Sequence, residues 1–135
     1  MTHDETKSNK IINFIERVCT HVKGDLANQP FLLEDWQKEF IHKMFGTMNK
    51  TGLRQYRTSY VQIPRKNGKS NLSAAIALAI LFVEKEQGAE IYCCASSRDQ
   101  AKIVFEVCKQ MVRNSAILTK NCKTASGPLK KRACS

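Results

Sequence analysis

No stretch of this sequence is apolar for long enough to cross a bilayer. The longest apolar run, residues 74–83, falls well short of the ~20 residues that a spanning helix needs. The first ten residues are polar, carry Asp4 and Glu5 and lack an apolar centre, so no secretory signal is expected. C-x-x-C spacing is missing as well: Cys19, Cys93, Cys94, Cys108, Cys122 and Cys134 are scattered or adjacent, which argues against a zinc site. Without a signal they are expected to be reduced thiols, mostly in the core. Acidic residues are few and unevenly spread. Residues 1–46 hold six Lys/Arg and seven Asp/Glu, and residues 47–100 hold eight and four. Residues 101–135 hold eight against Glu106 alone. The net charge of +10 implies an anionic partner such as nucleic acid, or a C-terminal part cut off from its acidic complement.

What is present suits one soluble domain. The chain has 135 residues, 42% of them hydrophobic and 25% charged, enough for one sizeable core. Its chemistry centres on residues 56–82, YRTSYVQIPRKNGKSNLSAAIALAILF. Residues 56–63 are aromatic and β-branched, as in a buried strand. Pro64, Arg65, Lys66, Asn67 and Gly68 form a loop, and Lys69-Ser70 open an Ala/Leu/Ile-rich helix expected to reach about residue 86. Strand, glycine-bearing loop ending in Gly-Lys-Ser, then helix is the layout of a phosphate-binding P-loop. The unpaired N–H groups at such a helix start favour an anion, and Gly68 lets backbone approach phosphate. Lys69 would reach β- and γ-phosphate oxygens, and the Ser70 hydroxyl would ligate Mg²⁺. The full pattern G-x-x-x-x-G-K-[ST] needs glycine where this chain has Ile63. The plainer alternative is a turn followed by a helix start with an exposed lysine.

Around this stretch, residues 1–7 look disordered. Ile11, Ile12, Phe14, Ile15, Val18, Cys19 and Val22 recur at helical spacing up to Lys23, with Gly24 as a stop. A second helix over residues 32–46 carries Trp36, Phe40, Ile41, Met44 and Phe45 on one face and ends at Gly46. Trp36 on its own is a core aromatic, Gln37 a surface polar residue, and His42 a solvated side chain. Residues 90–95, EIYCCA, predict a second buried strand, giving a βαβ unit with two parallel strands. Ser96 or Ser97 caps a third helix bearing Ala101, Val104, Phe105, Cys108, Met111 and Val112. After Arg113 no pattern is sustained, and Lys130-Lys131-Arg132 is a small basic cluster.

Three stretches, PFLLEDWQKEFIHKMFG (30–46), QIPRKNGKSNLSAAIAL (62–78) and YCCASSRDQAKIVFEVCKQMV (92–112), together resemble the large terminase subunit of tailed bacteriophages, the ATPase that drives DNA packaging. The resemblance covers residues 30–113. It implies an α/β fold: part of a RecA/ASCE-like P-loop NTPase in three layers, with parallel strands and flanking helices but without the later strands. It implies ATP and Mg²⁺ as cofactors, and Trp36 and Gln37 on the adenine side. Residues 64–70 would be a deviant Walker A loop in which Arg65, three residues before the Gly-Lys pair, stabilises developing charge. Lys69 and Arg65 are then the catalytic candidates. Implied partners are double-stranded DNA, the small terminase subunit, the portal protein and further copies of the chain, in the cytoplasm of a host cell. Residues 1–29 become an N-terminal helix and linker, and residues 114–135 a basic tail, disordered or truncated.

The chain also departs from that family. After Ser70 its acids are Glu84, Glu86, Glu90, Asp99 and Glu106, and none ends an apolar strand as a Walker B aspartate-glutamate pair would. No coupling motif or nuclease aspartates follow. The expectation is an N-terminal fragment that binds nucleotide weakly and does not turn it over. Two alternatives stand beside it: a helicase-like DNA or RNA translocase fragment, and a non-enzymatic basic remnant that binds nucleic acid.

Overall fold

The computed structural model describes residues 2–84, 88–123 and 130–131, the last three of these as backbone only. Cys134, Arg132 and the expected end of the central helix at residue 86 lie outside the described residues.

Helix α1 (Glu5–Val18) starts earlier than its periodicity predicts. Asp4 accepts hydrogen bonds from the amides of Thr6 (3.0 Å) and Lys7 (3.4 Å), satisfying two of the free N–H groups of the first turn. Just before it, β1 (Thr2–His3) pairs antiparallel with β2 (Thr47–Met48), so residues 2–7 are ordered rather than disordered. Ser8, Ile11, Ile12 and Ile15 form the buried stripe of α1. The helix stops at Val18 instead of running to Gly24, because residues 19–31 pair with themselves. Thr20 bridges Pro30, Phe31 N–H donates to Cys19 O (3.0 Å) and His21 N–H to Gln29 O (2.9 Å). Gly24, at φ +83°, turns this hairpin rather than capping a helix.

Helix α2 (Asp35–Gly46) is capped at Glu34 and buries Gln37, Ile41, Phe45 and Gly46. Gly46 is a packing requirement, since a Cβ there would lie 2.9 Å from His3 Cε1 and 3.2 Å from Ser8 Oγ. Ser8 Oγ in turn lies 2.7 Å from His42 Nδ1. His42 is therefore a bridge between α1 and α2, not a solvated side chain.

Helix α3 (Lys69–Val83) is hydrophobic nearly all round, and it packs on α1 on one side and on α4 (Arg98–Asn114) on the other. Leu78, Ala74, Ala75 and Ala79 are fully buried, the alanines letting the helices approach closely. Ser97 caps α4 as the sequence predicts, and Val107, Cys108, Met111 and Val112 face inward. The segment after Arg113 departs from its expectation. Ser115 caps a short helix α5 (Ala116–Asn121), Leu118 and Cys122 enter the core, and β3 (Cys122–Lys123) pairs antiparallel with β4 (Lys130–Lys131).

The predicted parallel βαβ unit does not appear among the described residues. Residues 56–63 and 89–95 are extended but belong to no sheet. Tyr60 is 86% exposed and Tyr92 78%. A strand is buried by its neighbours, and neither segment pairs with the other, so their apolar side chains remain in solvent.

Candidate functional site

Two parts of the chain far apart in sequence meet at one cleft of about 600 Å³. One wall is the loop that ends at the start of α3: Ile63, Pro64, Lys66, Asn67 and Gly68, with Asn71 one turn into the helix. The other is the entry to α2 and the hairpin before it: Trp36, Gln37, Glu34, Leu32, Phe31 and His21. The volume suits a drug-sized ligand.

The loop owes its shape to its backbone. Gly68 sits in the left-handed region at φ +75°, directly before Lys69, the first residue of α3. No protein atom would touch a Cβ there, so within the chain it is the positive φ that favours glycine. Lys66 holds φ +66° without being glycine, a conformation that costs most residues energy. The Lys69 ammonium folds back and donates to the Ile63 carbonyl (2.8 Å). The residue where a full P-loop would have its first glycine thus supplies the lysine's partner. The Ser70 hydroxyl is half-buried in the first helical turn.

Gln37 is placed by helix capping. Its Oε1 accepts from the Glu34 amide (2.9 Å), which holds the side chain beneath the α2 terminus, and it is 4% exposed rather than a surface residue. Trp36 Nε1 donates to Glu34 Oε2 (2.5 Å), fixing the indole beside the cleft. Glu16 ties this corner to α1: its Oε1 accepts from Leu33 N–H (3.3 Å) and pairs with Lys38 (3.1 Å).

The structure therefore brings Trp36, Gln37, Pro64, Lys66, Asn67 and Gly68 together. Arg65, Lys69 and Ser70 do not line the cleft: Arg65 is exposed, and Lys69 is turned onto Ile63. His21, Phe31 and Asn71 line it too, although no functional part was expected of them. Only the pairing of residues 19–31 brings His21 against Phe31, ring centroids 4.9 Å apart and edge-on at 76°.

The cleft is electrically asymmetric. Its loop end has the α3 N-terminus, Lys66 and, nearby, Lys69, all favouring an anion. Its α2 end has Glu34 and four apolar or aromatic side chains. Glu34 is the one acid among the described residues that lines it. The described acids after Ser70 are engaged or placed elsewhere: Glu84 pairs with Arg54, Glu106 with Lys109, Glu90 accepts a hydrogen bond from the Tyr92 hydroxyl, and Asp99 sits in the first turn of α4. Hydrogen bonding to Glu90 also holds the Tyr92 phenol above its ordinary pKa.

The protein family follows from comparison with known sequences. The family model for the terminase large subunit, ATPase domain, matches residues 35–127, and the chain belongs to that family. Its sequence is 39% identical over 108 residues to the terminase large subunit of Enterobacteria phage HK97, an alignment covering 79% of this chain and 20% of that protein. Its fold superposes on the crystal structure of the HK97 large terminase with a TM-score of 0.76 and 34% identity, covering 94% of this chain and 25% of the other. The chain thus spans about a fifth of the curated relative's length. No helix among the described residues is long and apolar enough to cross a membrane.

Proposed function

We propose that this chain is the nucleotide-gripping part of a terminase motor, which in the whole protein uses ATP to move double-stranded DNA into a capsid. The observation that carries this reading is the convergence of Trp36 and Gln37 with the loop ahead of α3 on one cleft, aromatic at one end and anion-attracting at the other. A nucleoside triphosphate has the same two ends, and the donor set fits it. When bound, ATP with Mg²⁺ supplies a phosphoric anhydride whose cleavage can be coupled to movement.

The chain's own residues take the following parts. Gly68 and the first amides of α3 receive the phosphates. Lys69 releases the Ile63 carbonyl and turns to the phosphate oxygens, while Ser70 offers its hydroxyl to the magnesium ion. In the whole protein Arg65, exposed here, would stabilise the negative charge that develops on the phosphoryl group. Gln37, with one lone pair of its oxygen held by the Glu34 amide, offers its Nε2 donors to the base edge beside Trp36. Residues 56–63 and 89–95 are strands of a parallel sheet, of the P-loop NTPase type, once neighbouring strands accept their backbone groups. Residues 1–29 brace the core, residues 30–113 form the ATPase-domain part, and the basic residues beyond 113 face DNA. Small terminase subunit, portal protein and further copies assemble around the whole protein in the host cytoplasm.

With Glu34 as the one acid among the described residues at the cleft, the chain binds without turnover. Titration of the 135-residue chain with ATP and magnesium should show saturable binding that Lys69→Ala weakens at least about tenfold, the loss expected for a charge-assisted phosphate contact. Equal binding by both proteins would sink the assignment. A Lys69-dependent release of phosphate by this chain alone would refute the claim that it does not hydrolyse.

A further inference from the structure

His21 stands in no motif, yet it lines the same cleft as Trp36, Gln37 and the phosphate loop. Its position is built by the backbone. Beyond the Phe31–Cys19 and His21–Gln29 bonds, the Asn28 amide donates to the His21 carbonyl (2.8 Å) and the Ala27 amide to that of Gly24 (3.0 Å). Asn28 adopts φ +66° to close the turn, a conformation that asparagine tolerates better than most residues. The imidazole meets the edge of Phe31, itself 4% exposed, and this anchored aromatic pair faces the cleft. Neither ring nitrogen of His21 has a hydrogen-bond partner among the described residues.

We infer that His21, backed by Phe31, is a base-contacting residue: it forms the wall on which the heterocycle of the bound nucleotide lies. This rests on the nucleotide reading above and extends it to a residue outside the Trp-Gln and phosphate-loop motifs. The orientation follows from charge. The triphosphate goes to the α3 N-terminus and away from the Glu34 carboxylate, which leaves the base at the end walled by His21, Phe31, Leu32 and Trp36. A flat heterocycle suits that end because every base has a π-face. The base edge is left to Gln37, whose oxygen has one lone pair committed to the Glu34 amide and whose Nε2 donors remain.

The test compares ATP with inorganic tripolyphosphate, which has the anion but no base. In magnesium buffer, His21→Ala should weaken ATP binding by about tenfold, the size of one lost stacking contact, and leave tripolyphosphate binding unchanged. His21→Phe should recover most of the ATP affinity, and His21→Gln, polar but without a ring, should not. Because the hairpin is held by backbone bonds, circular dichroism of the variants should match that of the parent chain. Equal loss of ATP and tripolyphosphate, or no loss of either, would overturn the assignment of His21 while Lys69→Ala still weakened both ligands. If Lys69→Ala weakened neither, the phosphate site would fall, and the base wall with it.

Discussion

The helical half of the molecule and its two extended segments obey the same sequence rules and meet different fates. Helices α1 to α4 each bury part of their apolar surface, down to 0% exposure at Ile15, Ile41, Leu78 and Met111, while Trp36, Phe40 and Met44 of α2 and Ala101, Val104 and Phe105 of α4 are only half-buried. Residues 56–63 and 89–95 carry equally apolar side chains and leave Tyr60 and Tyr92 in solvent. The difference is one of hydrogen bonding. A helix satisfies its backbone within itself and needs only a surface to pack on, whereas a strand must borrow its partners from elsewhere in the chain or from another. The cleft sits at the junction of these regimes, its loop entered from an unpaired segment and left through the best-packed helix.

The largest contrast should come from truncating one side chain in each region. Leu78→Ala, at a fully buried position of α3, should cost about 2–5 kcal/mol in denaturant unfolding. Tyr60→Ala should change stability by less than ~0.5 kcal/mol. A large loss at Tyr60 would mean that the extended segment is packed in solution, and the contrast would break.

Thiol chemistry sharpens the same comparison. Burial, with the neighbouring Cys108 as a lesser contribution, pushes the Cys19 thiol up to about 12. Burial, with Cys93 second, does the same for Cys108. Cys93 and Cys94 are exposed. At pH 8 an aromatic disulfide reagent should label Cys93 and Cys94 quickly, and Cys19 and Cys108 only as the protein unfolds. Both buried groups bind their protons more tightly folded than unfolded. Their contribution is therefore complete below the ordinary thiol value of 9 and is lost as pH climbs from there towards 12. Unfolding midpoints measured from pH 8 to 11 should fall, and replacing Cys19 and Cys108 by serine should flatten that fall.

A smaller effect probes how α1 is tied to α2. Ser8 is fully buried and bonded to His42, so Ser8→Ala strands the imidazole's partnered nitrogen and should cost about 1–3 kcal/mol by thermal or denaturant unfolding. The smallest should come from the loop. Lys66→Gly relieves a left-handed φ of +66° and should stabilise the chain by about 1 kcal/mol or less, net of glycine's extra entropy in the unfolded state. A loss of stability there would show that the Lys66 side chain contributes more to the fold than its backbone strain costs.

Much of this was legible from spacing. The stripes of α1 and α2, the Ser97 cap and the Gly68-Lys69 helix start are all local patterns, and each stands within a few residues of its predicted place. The boundaries at Gly24 and Leu32 were misplaced because a glycine marks a turn of either kind, and the 19–31 pairing is not local. The segment from Ala116 to Cys122 was missed because its helix is one and a half turns long, too short to show a period. Within the site, the loop ahead of α3 was visible as a motif and Gln37 through the resemblance. His21 gave no signal.

The sequence by itself determined which residues form helices, where an anion-attracting helix terminus lies and which family the chain resembles, since all of these depend on neighbours within a few positions. Only the tertiary structure decided that α2, the hairpin of residues 19–31 and the loop ahead of α3 enclose one cleft. It also decided that Lys69 rests on the Ile63 carbonyl and that two strand-like segments stay unpaired. Those outcomes depend on which distant surfaces bury one another and which backbone groups find partners, and no local spacing encodes that.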